Sequence, residues 1–324
     1  MKQRIHLNIK LLILSFALTA CTTEKSKPIT IAINPWPGYE FLYLAEKKGF
    51  FKQAGANITL IQMGSLADTQ RAYVNGHVDG MASTIIEAVQ AQPLGGKPLK
   101  VILITDYSNG GDVIIAADSI TGVKSLKGQK VGCEVSSLGI YILERALTKH
   151  GLTLDDVTII NTEQLDGEQA MLDGKIDAFV SYPPVSLEIL KHKRFRKVFT
   201  SSEIPEEIID TVSVSSEVLD KNPGLETALL EAWQMAIDYA ANNKQDAYAI
   251  MAKREGISVS EFEGTLSDLS ILDSKTQKQL LSNQKYINKS AQAVCETLVH
   301  VGTISTNCNE LPDFSYRGSF QVKN

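Results

Sequence analysis

The chain has 324 residues, 44% of them hydrophobic and 21% charged, and its 32 basic against 37 acidic residues give a formal charge of −5. Such a length supplies two cores of about 100 to 200 residues each, and an acidic balance without a basic stripe interleaved with aromatics gives nucleic acid no footing. His6, His77, His150, His192 and His300 are scattered and make no metal-ligand spacing with cysteine or one another, so no zinc site is expected; no cofactor is expected either.

In chain order, residues 1–20 read as a signal peptide, with Lys2, Arg4 and Lys10 ahead of an apolar run from Leu11 to Leu18. That run is too short to span a bilayer, and no later stretch is long and apolar enough to do so. Leu18-Thr19-Ala20-Cys21 is similar to the bacterial lipobox, in which the cysteine is acylated and becomes the new N-terminus. Lipidation at Cys21 would make residues 21–27 a tether; a plain signal peptide with an incidental cysteine is the alternative. Without residues 1–20 the formal charge falls to −8.

The remainder alternates apolar strands with amphipathic helices. Strands are expected at Thr30–Ile33, Ile58–Ile61, Val78–Ala82, Leu99–Ile104, Val113–Ala117, Lys130–Cys133, Val157–Ile160, Ala178–Val180 and Thr211–Val214. Helices are expected at about Phe41–Gln53, Ser65–Asn75, Ile140–His150 and Glu168–Leu172, and from Pro223 onward the pattern is almost wholly helical, with a capping box at Ser258 and Glu261. Alternation of this kind reads as α/β, with mostly parallel sheets covered on both faces.

An internal repeat organises the elements. AYVNGHVDGMAST (72–84) aligns with AMLDGKIDAFVSY (170–182), and ITIAINPWPGYE (29–40) has its counterpart one hundred residues on in QKVGCEVSSLGI (129–140). Each pair holds a strand leading into a loop and helix, then a helix ending at Asn-Gly or Asp-Gly, then a strand ending in small polar residues. Two lobes built alike follow. In open α/β sheets ligands sit beyond the carboxyl ends of the strands, which here carry Asn34–Glu40 and Ser83-Thr84 in one half, and Ser136-Ser137 and Ser181-Tyr182 in the other. The turn at Ser136, Ser137, Leu138 and Gly139 opens a helix, so its free N–H groups suit an anion; an ordinary N-cap is the alternative. Asp79 and Asp177 recur in the repeat just before buried strands and are assigned to turns. Cys133 reads as a buried small side chain. Cys295 and Cys308, thirteen apart near the C-terminus of an exported chain, read as a disulfide, with two free thiols as the alternative.

With IAINPWPGYEFLYLAEKKGFFKQAG (31–55), VNGHVDGMAST (74–84), SLKGQKVGCEVSSLGIYILERAL (125–147), LDGKIDAFVSYPP (172–184) and EIPEEIIDTVSV (203–214) in this order, the chain resembles the extracytoplasmic solute-binding proteins of ABC importers, in the nitrate/sulfonate/taurine and thiamine-pyrimidine (NMT1/THI5-like) group. The resemblance implies a two-lobed periplasmic-binding-protein fold of type II with the ligand cleft between lobes. Lobe one would comprise 28–108 plus 211–324 and lobe two 109–210, with crossings near Asp106–Val113 and Pro205–Thr211. It further implies a monomer on the periplasmic face of a membrane, delivering a small anion or zwitterion to an ABC permease in the inner membrane: a taurine- or sulfonate-like solute, nitrate or a pyrimidine precursor. Cys133 and Glu134 in GCEVSS depart from the plainer strand end expected of that group.

On this reading Ser136, Ser137 and the N–H groups of Leu138 and Gly139 hold the anion. Trp36 and Tyr39, flanking Gly38 in NPWPGY, form a wall of the cleft, with a core role for Trp36 as the alternative. Ser83, Thr84 and Tyr182 orient the ligand, and one of Glu40, Asp106, Asn109 and Asp112 meets an ammonium group, the others being solvated or paired with lysines. Two other functions stay open: an enzyme on the same fold, although the cysteine-rich motif of pyrimidine synthases is absent, and a sensor lobe serving a membrane receptor.

Overall fold

The computed structural model describes residues 27–316; residues 1–20, expected to be a signal peptide, and Cys21 lie outside them. Its strands are β1 (Ile29–Ile33), β2 (Ile58–Gln62), β3 (Gly80–Thr84), β4 (Leu99–Ser108), β5 (Val113–Ala117), β6 (Lys130–Cys133), β7 (Thr158–Asn161), β8 (Ala178–Ser181), β9 (Phe195–Thr200), β10 (Ile209–Ser215) and β11 (Leu269–Ile271). They form two sheets, ordered β11-β4-β10-β3-β1-β2 and β7-β6-β8-β5-β9.

The repeat is visible in these orders. β2-β1-β3 and β7-β6-β8 are parallel βαβαβ units, and each continues through an antiparallel strand, β10 in the first sheet and β5 in the second. Asp79 and Asp177 hold equivalent places. The Asp79 carboxylate accepts the Thr30 N–H and hydroxyl at 2.8 Å, and that of Asp177 accepts the Lys130 N–H at 2.9 Å, so each closes the turn before its strand. This closure delays β3, which starts at Gly80 rather than Val78.

Both sheets are mixed, not mostly parallel. β4 carries the chain out of the first sheet and β10 brings it back, and they pair antiparallel; β5 and β9 enter and leave the second sheet in the same way. Strand-helix alternation reveals the βαβ units but carries no information on the direction of strands that connect two sheets. The helix expected over Phe41–Gln53 is divided at Gly49, whose left-handed φ of 74° caps Glu40–Lys48 before Phe50–Gln53 begins.

Helices from Leu225 to Val301 cover the first sheet. Trp233 is fully buried against Phe41, ring centroids 5.6 Å apart, and its indole N–H donates to the Leu272 carbonyl at 2.7 Å. Removing roughly 200 Å² of indole surface from water stabilises this layer by about 5 kcal/mol. Gly302, with φ 81°, ends the last long helix and turns the chain back so that Cys308 bridges to Cys295, Cα atoms 5.7 Å apart. Cys133 is a buried free thiol. Among the described residues no helix is long and apolar enough to cross a membrane.

The two connections between sheets, residues 109–112 and 201–208, are stitched together. Ser201 Oγ lies 2.8 Å from Ser108 Oγ and accepts the Gly110 N–H at 2.7 Å, while the Ser201 N–H donates to the Asp112 carbonyl at 2.8 Å.

Candidate functional site

Strand ends from both sheets meet at a tightly closed gap, with no room for a water molecule, lined by Asn34, Trp36, Tyr39, Leu66, Asp112, Leu138, Tyr182 and Asp210. Asn34, Trp36 and Tyr39 come from the loop after β1, Asp210 from the start of β10, and Leu66 opens the helix after β2. Asp112 immediately precedes β5, Leu138 opens the helix after β6, and Tyr182 follows β8. Contacts between the two halves close the space. Tyr182 meets Trp36 edge to face at 6.1 Å and accepts the Leu66 N–H at 3.1 Å, and at the rim Arg71 pairs with Glu163 at 3.2 Å.

The chemistry of the lining is acidic and aromatic. Asp106 and Asp210 are register partners across β4 and β10. Asp106 accepts the Trp36 indole N–H at 3.3 Å, and Asp210 accepts the Tyr39 hydroxyl at 2.5 Å. Burial pushes the carboxyls of Asp106 and Asp112 up to about 7 and that of Asp210 well above the carboxylate range, with Asp106 and Asp112 adding repulsion at Asp210. The same burial, beside Asp210, raises the Tyr39 phenol. Both carboxylate oxygens of Asp112, Oδ2 of Asp210 and Oδ1 of Asn34 are buried with no well-formed hydrogen bond, the Ser108 hydroxyl facing Asp112 and the Asp106 carboxyl facing Asp210.

The serine turn has an anion already. Glu87, on the helix Ile85–Ala91, accepts the Ser137 hydroxyl and the Leu138 N–H at 2.8 Å each, and with its other oxygen the Thr84 N–H at 3.0 Å and hydroxyl at 2.5 Å. Burial raises its carboxyl, and the Thr84 and Ser137 hydroxyls and the Leu138 N–H oppose that rise. Thr84 and Glu87 form the capping box of their own helix.

Sequence-derived candidates therefore divide. Trp36, Tyr39, Asp112, Leu138 and Tyr182 line the space, and Gly38 lies beneath it, where a Cβ would fall 1.9 Å from Asp106 Oδ2. Ser137 faces Glu87 instead of a ligand, and its neighbour Ser136 is exposed, because the extended N-cap turns successive side chains to opposite sides. Ser83 is buried within β3, its hydroxyl donating to the Thr84 carbonyl at 3.2 Å, and Thr84 is spent on the capping box. Asn109 is exposed and its N–H donates to the Asp268 carbonyl. Glu40 is fully buried and hydrogen-bonded to Arg254, which draws it toward the helix Lys244–Glu255. Asn34, Leu66, Glu87 and Asp210 were not among the candidates. A Thr-x-x-Glu capping box was readable at Thr84, and Asp210 stood in the quoted segment 203–214 without any local mark of its role.

The NMT1/THI5-like family profile matches residues 36–247. The chain is 26% identical over 228 residues to the Saccharomyces cerevisiae 4-amino-5-hydroxymethyl-2-methylpyrimidine phosphate synthase THI13, covering 65% of this chain and 66% of that one, so it spans just under two thirds of that relative's length. It is 24% identical over 264 residues to a Brucella abortus protein named as a binding protein, covering 78% and 79% of the two chains. The fold is similar to that of the periplasmic aliphatic sulphonate binding protein SsuA of Escherichia coli, with a TM-score of 0.70, 17% identity and coverage of 86% and 94%.

Proposed function

Because this chain belongs to the NMT1/THI5-like family, we propose that it is an extracytoplasmic solute-binding protein that encloses a small solute between its lobes and presents it to an ABC permease. The observation that carries this reading is the closed space between the two sheets, where buried acceptors without well-formed hydrogen bonds converge beside three aromatic rings. The moving bodies are residues 28–108 with 211–324, and 109–210, closing about the stitched connections. Acylation at Cys21 holds the protein, as a monomer, at the periplasmic face of a membrane.

The test is closure on binding. A solute at one hundred times its dissociation constant adds about 2.7 kcal/mol to stability, so a thermal-shift hit together with a smaller radius of gyration in solution scattering supports the reading. A hit without compaction, or no hit across amines, amidines, pyrimidines, sulfonates and nitrate, overturns it. The name of the yeast relative favours a second reading, an enzyme that forms a pyrimidine phosphate; absence of any pyrimidine phosphate by mass spectrometry after incubation of the purified protein with a cell extract of small metabolites rejects catalysis.

A further inference from the structure

We propose that the solute is a small organic cation carrying N–H donors, and not the anion that the serine turn suggests. This rests on the solute-binding reading and names its substrate class.

Three observations converge. First, the position best suited to an anion, the N-terminus of the helix Leu138–Lys149, is filled by the Glu87 carboxylate. Second, the lining presents acceptors with no well-formed hydrogen bond: Oδ1 of Asn34, both oxygens of Asp112 and Oδ2 of Asp210, on residues no more than 1% exposed. The Asn34 amide N–H donates to the Pro35 carbonyl at 3.0 Å, which leaves Oδ1 as the group's unpartnered atom. No lysine, arginine or histidine is among the lining residues. Third, Trp36, Tyr39 and Tyr182 line the same space, and aromatic faces attract a cation through the ring quadrupole.

An anion entering here would find no positive side chain to pair with, and its charge would make Asp112, Asp210 and Asp106 harder still to ionise. A protonated amine or amidine supplies both the positive charge and the N–H groups that those oxygens lack. The donors matter as much as the charge, since no three acidic or histidine side chains among the described residues are disposed to hold one metal ion. Burial holds protons on Asp106 and Asp112 up to about pH 7, so a cation that ionises them displaces protons as it binds. The groups facing Asp112 in this exchange are Asp106, Glu87, Asp210 and the Tyr182 phenol, and the phenol facing Asp210 is Tyr39.

The test is calorimetric titration of the purified protein at pH 6.5 with butylamine, acetamidine and 4-aminopyrimidine, and with ethanesulfonate, nitrate and magnesium chloride, each in two buffers of different ionisation enthalpy. The expected result is binding of at least one nitrogenous probe with proton release. It is weakened at least tenfold by Asp112→Asn and severalfold by Asn34→Ala, and ethanesulfonate, nitrate and magnesium give no heat. Two substitutions at separate positions keep the test decisive if one fails to fold. Binding of ethanesulfonate or nitrate overturns the cation while leaving the solute-binding reading intact. Magnesium binding in place of the amines, or amine binding indifferent to both substitutions, overturns it as well. No binding by any probe of either sign removes the cation and the solute-binding reading together.

Discussion

Glu87 in one lobe accepts 2.8 Å hydrogen bonds from the Ser137 hydroxyl and the Leu138 N–H in the other. The chain thus supplies its own anion to its best anion-binding turn, and the pair acts as a clasp between lobes. Hydrogen bonds to a charged group contribute about 1.5–3 kcal/mol each. Glu87→Ala should therefore shift the unliganded protein toward an open form, read as a larger radius of gyration in solution scattering. Ser137→Ala should do so partially and Ser136→Ala, on the exposed side, not at all. Compact scattering from Glu87→Ala would dismiss the clasp.

The acidic cleft gives stability an inverted pH dependence. Asp106 and Asp112 keep their protons to about pH 7 when folded, whereas an unfolded aspartate loses its proton near 4. Between those values the folded state binds more protons than the unfolded, so stability falls as pH rises, by at most about 1.4 kcal/mol per pH unit for each group. Calorimetric melting of the unliganded protein should show Tm declining from pH 5 to 7.5, with a shallower decline in Asp112→Asn. A rise in Tm over that range would contradict the assignment.

Arg254 anchors a second buried acidic group. Its side chain is 6% exposed and pairs with Glu40, which is fully buried, and burial pushes the Glu40 carboxyl up to about 8 even against the opposing pull of the guanidinium. Removing one member of such a pair costs about 3–5 kcal/mol, whereas replacing both by apolar groups is often close to neutral. Arg254→Met should destabilise strongly in urea titration, and Arg254→Met with Glu40→Leu should recover most of the loss.

Reduction of the Cys295–Cys308 bridge should add two hydrogens to the intact mass. Opening a loop with a separation of 13 residues should cost about 3 kcal/mol, visible as a lower Tm in reductant. An unchanged mass would remove the bridge from the account.

Much of the fold was legible because its signals are local. Asp79 and Asp177 repeat in sequence because each closes the same turn in its own βαβ unit. The short strand β11 and the helix Val185–Lys191 carry too few residues to show a period, and β9, FRKVFT, interrupts its apolar alternation with charge. The site was legible only in part, because its roles are set by partners far away in the chain. Asp210 acquires its role from Asp106, opposite it across strands more than one hundred residues apart. Glu87 looks like the last letter of a capping box, and its local bonds to Thr84 are half of what it makes. Which of two adjacent serines faces inward depends on a single residue of phase at the helix start, finer than any pattern in the sequence.

Asp112 lies where the two connections are stitched, its carbonyl accepting from Ser201 and its N–H donating to Ser108 at 3.2 Å. In a protein that closes about those connections as proposed, this is the fulcrum, and points at a fulcrum scarcely travel. Charge recognition there is available at every opening angle, so the solute is captured before the lobes swing. Leverage then reaches the remote rim, where Arg71 and Glu163 move furthest and meet last.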